Sequence, residues 1–194
     1  MSSQLDYPPR LNLARIPTPL QLLPRASKRW GAGKRLWMKR DDLTGSALTG
    51  NKIRKLEFIA AHALEQGLST LVTCGGVHSN HCRATALVAA QLGLDCHLVL
   101  RADDEPEQHT GNFLLDQLAG ASYEIWPAGE WAGNLKKIYA RLESEFKASG
   151  RPALMIPTGG SDSLGVWGYI AAAEELRWDL EERRIERAAL TLAT

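Results

Sequence analysis

From residue 70 onward the sequence repeats one unit: a short apolar run, a glycine-marked or polar break, then an amphipathic stretch that ends near glycine. Strands are predicted over residues 70–74, 96–100, 123–126, 153–156 and 188–192. Helices are predicted over 80–92, 112–118, 131–148 and 166–178, with one more over 51–66 ahead of the first unit. Apolar residues recur at helical spacing in two of these. Ile53, Leu56, Ala60, Ala63 and Leu64 form one stripe, and Trp131, Leu135, Ile138, Tyr139, Leu142 and Phe146 form another. Regular strand–helix alternation folds as a doubly wound α/β structure around a parallel sheet. In such a sheet, ligands sit outside the carboxyl ends of the strands, so function belongs in the loops that follow strands.

The segment before this pattern differs. Pro8, Pro9, Pro17, Pro19 and Pro24 predict an extended arm lying over the body, followed by a short strand at 35–39. The predicted strand at 188–192 has no helix after it, so either the chain is truncated or something else covers its face.

Composition narrows the class. A 44% apolar, 23% charged chain of 194 residues is globular, and a net charge of +1 gives no footprint for nucleic acid or an anionic membrane. A small-molecule partner is expected. Cys74, Cys82 and Cys96 lack CxxC spacing and lie in apolar segments, which suits reduced thiols in the cytoplasm. The N-terminal residues contain no signal-type apolar core, and no run of about 18 apolar residues occurs.

Three post-strand loops carry the polar residues: RDDLTGSALTGNK at 40–52, GGVHSNH at 75–81 and TGGSDSLG at 158–165. Lys52 stands at the opening turn of its helix, where the helix dipole disfavours a cation, with Arg54 adjacent and Lys55 one turn on. Such crowding should lower the Lys52 ammonium pKa, as an imine-forming lysine needs, while Lys55 could neutralise a phosphate. Periodicity alone favours a plainer explanation, a solvated basic first turn. In GGVHSNH, Ser79 and Asn80 stand at a helix N-terminus able to hold a carboxylate or phosphate; ordinary capping explains them equally well. His78 and His81 have no carboxylate or cysteine cluster beside them, so no metal site is expected. TGGSDSLG could close over a ligand, although capping by Asp162 or Ser163 accounts for most of it. GAGK at 31–34 precedes a strand and is no phosphate loop, and GxGxxG is missing.

Taken in order, KRDDLTG, TGNKIRKLEF, CGGVHSNHCRATA, GNFLLDQLAGA and IPTGGSDSLGVWGY resemble the D-cysteine desulfhydrase and 1-aminocyclopropane-1-carboxylate deaminase family over residues 17–194. The resemblance implies pyridoxal 5′-phosphate as cofactor and fold type II, the tryptophan synthase β-like arrangement of doubly wound parallel sheets, here C-terminally truncated. It implies that Lys52 forms the cofactor imine, that Lys55 helps hold the phosphate, and that Asn80 bonds the cofactor O3′. Ser79 becomes the active-site hydroxyl, and Ser79, Asn80, His81 and Gly160 become substrate-binding residues. Histidine at position 81 leans the reading toward D-cysteine β-elimination. Alternatives are cyclopropane ring opening, L-cysteate sulfo-lyase activity and a non-catalytic remnant. The implied domains are 1–50 (arm and part of a large domain), 51–157 (small, lysine-bearing) and 158–194 (start of the large cofactor domain). The family's Gly/Ser-Gly-Gly-Thr phosphate loop is not found, which predicts weak cofactor retention and little turnover. Homodimers are common in the family, and a cytoplasmic location is expected.

Overall fold

A computed structural model of the protein describes residues 5–104 and 109–192. Four strands form one parallel sheet: β3 (Thr70–Gly76), β4 (Asp95–Arg101), β5 (Ser122–Trp126) and β6 (Ala153–Met155), in spatial order β5-β4-β3-β6. Ahead of them come β1 (Leu20–Leu22), α1 (Pro24–Trp30), β2 (Trp37–Lys39) and α2 (Lys52–Glu65). The remaining helices are α3 (Asn80–Leu92), α4 (Gly111–Leu118), α5 (Ala128–Ala148) and α6 (Val166–Glu182). The predicted doubly wound sheet is present.

Side chains alternate across that sheet with the period of two that a strand imposes. Leu71, Leu98 and Leu100 point to one face, where they pack with Ile53, Leu56, Ile59 and Ala60 of α2, Ala86 and Val88 of α3, and Phe113 of α4. Val72, Cys74 and Val99 point to the other, against Trp131, Ile138, Leu142 and Phe146 of α5. Both faces of the central strands are therefore covered, and β3 is buried almost throughout. The order reverses at β3, with β4 on one side and β6 on the other. This switch point sets the loops after β3 and β6 side by side at the carboxyl edge of the sheet.

Helix α2 is enclosed on more sides than its stripe predicts. Ile53, Leu56, Ala60 and Ala63 face the core, whereas Leu64 is exposed. On its other flank α2 meets α6 and the N-terminal arm, so that Arg54 and Glu57 are fully buried too. Close approach of α6 depends on Gly168, because a Cβ there would lie 2.4 Å from the Arg54 carbonyl oxygen. Glu57 Oε1 accepts from the backbone N–H groups of Leu13 and Ala14, and Glu57 Oε2 accepts from Arg10 Nε at 2.8 Å. Arg54 donates to Asp41 and to Glu175, which also receives the Thr18 backbone N–H. Two charged residues of one helix thus strap the arm and α6 to it.

Two expectations need correction, at the arm and at residues 188–192, and a third is met over a shorter span, Trp37–Lys39. The arm is extended and packed through residue 19, but it does not run on to Pro24: β1 follows, and Pro24 opens α1 at a position where a missing N–H costs nothing. The arm's residues 1–4 lie outside the described residues. The strand predicted at 35–39 pairs antiparallel with β1, outside the main sheet. The strand predicted at 188–192 does not form; the segment is irregular, with Leu190 and Leu192 exposed, because no described strand offers it a ladder. Among the described residues, no helix is long and apolar enough to cross a membrane. Cys74, Cys82 and Cys96 are free and buried.

Candidate active site

Lys52 begins α2, and its position is set by the loop before it. Thr44 is buried and its hydroxyl bonds the Asp41 and Gly50 carbonyls at 3.0 and 3.1 Å, folding residues 41–50 back on themselves. Arg83 of α3 reaches across to the Thr49 carbonyl at 2.8 Å. The Arg54 guanidinium, two residues along α2, fixes the helix through Asp41 and Glu175. Desolvation pushes the Glu175 carboxyl up, but the hydrogen bonds and charges of Arg54 and Lys39 outweigh it and hold the group down at about 2.

The two lysines have different surroundings. Lys55 is buried; its ammonium donates to the Gly159 carbonyl at 3.0 Å and to Ser161 Oγ at 2.9 Å, over the ring of Tyr169. Burial, and then the neighbouring Lys52 charge, lower its pKa. Lys52 is half-buried and makes no side-chain hydrogen bond among the described residues, and a Cβ built on Gly159 would lie 4.0 Å from its Nζ. One amine is tied down and the other is free. Asn51, just before Lys52, donates to the Tyr169 hydroxyl and so joins α6 to the same corner.

Ser79 caps α3, its Oγ accepting from the backbone N–H groups of His81 and Cys82, both at 3.2 Å. With the oxygen accepting from two backbone donors, the hydroxyl acts as a donor before it is a base, and the Cys82 thiol beside it is one acceptor within its reach. His81 lies deeper, 2% exposed, with Nε2 2.9 Å from Thr73 Oγ1. Thr73 Oγ1 also lies 3.2 Å from the Ile156 carbonyl; a Thr73 proton given there makes His81 Nε2 the donor of the pair. His81 Nδ1 is then a buried acceptor with no partner among the described residues. Burial, with the Lys52 and Lys55 charges, depresses the imidazole to about 3, so it is neutral at physiological pH.

The Gly159–Gly160 turn roofs this group. Gly160 has φ +59°, and a Cβ there would lie 3.0 Å from Ile59 Cδ1 and 3.2 Å from His81 Cε1. The dihedral strains any side chain there, and the space leaves a Cβ only tight contacts. Asp162 Oδ1 accepts from the Leu164 and Gly165 N–H groups and so closes the turn ahead of α6, whose N-cap, Gly165, has no side-chain cap of the kind expected. Lys52, Lys55, His81 and Gly160 are therefore brought into one cluster, with Ser79 at its edge on the α3 N-terminus. Asn80 is exposed, and its Oδ1 accepts from Asn112 Nδ2 at 2.9 Å. Sequence reasoning did not single out Ser161, Tyr169, Thr73 or Asn112. Tyr169 and Asn112 stand inside the GVWGY and GNFLLD stretches, where a polar residue in an apolar run was the available signal.

These side chains suit a phosphorylated aldehyde. An unpaired amine can attack a carbonyl, a second cation lies within the same turn, and glycines leave the backbone open where a flat ring needs room. The match with known proteins agrees. Residues 11–191 fit the family model described as pyridoxal-phosphate dependent enzyme. The chain is similar to the Arabidopsis thaliana bifunctional D-cysteine desulfhydrase/1-aminocyclopropane-1-carboxylate deaminase, mitochondrial (41% identity, covering 89% of this chain and 44% of that protein). It is also similar to D-cysteine desulfhydrase of Klebsiella pneumoniae (42% identity, 90% and 53%). A solved structure of an ACC deaminase homologue superposes with TM-score 0.77 at 40% identity, over 88% of this chain and 50% of that one. A fungal L-serine ammonia-lyase from Rhizomucor miehei shares the fold at 19% identity, with TM-score 0.64 over 88% and 48%. The chain spans about half the length of the curated relatives it matches. On the match over residues 11–191, the chain belongs to the pyridoxal-phosphate dependent enzyme family.

Proposed function

We propose that the protein is the lysine-bearing part of a pyridoxal-phosphate-dependent lyase that eliminates hydrosulfide from D-cysteine, giving pyruvate, ammonia and hydrogen sulfide. The observation that carries the proposal is the contrast between the two lysines: Lys55 is held by Gly159 and Ser161, while the Lys52 amine is unpaired beneath the same glycine turn. The chemistry the cofactor supplies when bound is an electron sink for a carbanion at the amino acid Cα.

The remaining work falls to the chain's own residues. Lys52 Nζ would anchor the cofactor, and as a free amine it would take the proton from the substrate Cα. Lys55 provides the positive charge for a phosphate. Asn80 offers its side-chain N–H to the cofactor O3′, and Ser79, with its oxygen already accepting two N–H groups, donates its hydroxyl proton to substrate. The α3 N-terminus supplies the partial positive charge that suits a substrate carboxylate. His81, neutral and lodged between Thr73 and Gly160, forms the floor of that substrate site, and Gly160 its roof. Residues 51–157 act as the small domain, with 1–50 and 158–194 as parts of the large one, in a cytoplasmic protein that pairs as a homodimer.

The second reading is opening of 1-aminocyclopropane-1-carboxylate to 2-oxobutanoate, favoured by the relative named for both activities. Assaying pyruvate from D-cysteine against 2-oxobutanoate from the cyclopropane substrate separates the two. Preferential release of 2-oxobutanoate overturns the desulfhydrase assignment.

A further inference from the structure

Asn112 joins α4 to the Ser79–Asn80 loop and stands outside the lysine cluster. Its Nδ2 donates twice: to the His78 carbonyl at 2.8 Å and to Asn80 Oδ1 at 2.9 Å. The first of these bonds settles the second. A backbone carbonyl can only accept, so the Asn112 atom facing His78 is the nitrogen. That same nitrogen faces Asn80, and the Asn80 atom opposite must be the oxygen. Asn80 Nδ2 is thereby turned the other way, with no partner among the described residues.

We propose that Asn112 is a positioning residue that sets the polarity of Asn80, presenting it to the bound ligand as a hydrogen-bond donor and requiring an acceptor there. This rests on the pyridoxal phosphate reading, in which the acceptor is the ring's phenolic oxygen. A free asparagine amide can turn either edge to its ligand; one whose oxygen is held by a neighbour cannot. The His78 carbonyl is the fixed reference, and Asn112 transmits its polarity across one side chain. Gly111, beside Asn112 at φ +56°, brings α4 close to the loop: a Cβ on it would lie 3.5 Å from His78 Nδ1.

The test exploits an isosteric reversal. In Asn112→Asp the donor becomes an acceptor, which takes a hydrogen bond from Asn80 Nδ2 and turns the Asn80 oxygen toward the ligand. In Asn112→Ala the Asn80 amide is released and free to adopt either orientation. Covalent uptake of pyridoxal phosphate is titrated by visible absorbance in the full chain. Apparent affinity should fall about tenfold in Asn112→Asp and only about threefold in Asn112→Ala, the size expected for one hydrogen bond reversed or loosened. An effect of Asn112→Asp no larger than that of Asn112→Ala overturns the proposal; because aspartate also loses the bond to the His78 carbonyl, the orientation of Asn80 itself separates polarity reversal from that structural loss. Side-chain amide NMR of the cofactor-free chain reads the orientation independently. The Asn112 amide protons should be protected from exchange and those of Asn80 unprotected, with Asn80 becoming protected in Asn112→Asp. Protected Asn80 protons in the unsubstituted chain also overturn the proposal. Absence of any uptake by the unsubstituted chain overturns the ligand assigned to Asn80 and the cofactor reading, whereas a failed NMR pattern with normal uptake overturns only the role of Asn112.

Discussion

Replacing Asp116 with asparagine should remove most of one component of the protein's pH-dependent stability. Asp116 lies on α4, 1% exposed, and neither carboxylate oxygen has a hydrogen-bond partner among the described residues. Burial pushes the carboxyl up from 3.8 to about 7, outweighing the nearby Arg83 charge that favours ionisation. Between those values the native state holds a proton that the unfolded chain has lost, so stability declines as pH rises through that interval. At about 1.4 kcal/mol per tenfold change, the loss reaches about 4 kcal/mol above pH 7. Relaxation and water penetration reduce this to on the order of 2–3 kcal/mol. The asparagine cannot ionise, although it keeps an unpaired polar group in the same place. The variant should therefore match the parent below about pH 4 and exceed it by about 1–3 kcal/mol near pH 8. Urea midpoints at a series of pH values, with unchanged m, give the difference curve. The opposite contribution of His81, which is depressed to about 3 and favours folding as pH rises toward 6.5, is common to both proteins and cancels. Parallel pH curves for the two proteins would refute a buried, ionisable Asp116.

Other substitutions probe the straps and the roof. Arg54→Met removes the guanidinium shared by Asp41 and the buried Glu175, leaving Glu175 with Lys39 and the Thr18 N–H, and should cost about 3 kcal/mol in urea unfolding, a penalty that replacing Glu175 by glutamine as well should partly relieve. Gly160→Ala forces a side chain into a φ +59° position against Ile59 and His81; a loss of at least about 1–2 kcal/mol is expected, with weaker pyridoxal phosphate uptake in the same titration. Ser79→Ala removes the α3 cap at a cost of about 1 kcal/mol and should depress turnover far more than that stability loss accounts for.

Legibility in the sequence followed how local each cause was. Helix α3 begins and ends as predicted because a serine cap and Gly93, in the left-handed conformation, bracket it within the chain itself. The sheet strands were legible for a similar reason, as apolar runs between glycine breaks. Residues 188–192 show the same apolar character but form no strand, since a ladder needs a neighbour that no residue can supply for itself. Helix α1 was hidden by its own Pro24, read as part of an extended arm although proline is at home in a first turn. Arg54, Glu57 and Asp116 look like ordinary solvated charges in the sequence. Their burial depends on contacts as distant as Arg54 with Glu175, which no periodicity reveals. In the site, the two lysines and the Ser79 loop were visible as polar marks after strands or at helix starts. The Gly159 and Ser161 contacts that distinguish Lys55 from Lys52 come from the other side of the switch point and required the fold.

The central claim is that Lys52, and not Lys55, carries the cofactor. Incubating the chain with pyridoxal phosphate, reducing with borohydride and mapping the modified peptide tests this directly. The account predicts a single phosphopyridoxyl group on Lys52, absent in Lys52→Ala and retained, at lower occupancy, in Lys55→Met. Modification at Lys55, or undiminished specific labelling in Lys52→Ala, would contradict it.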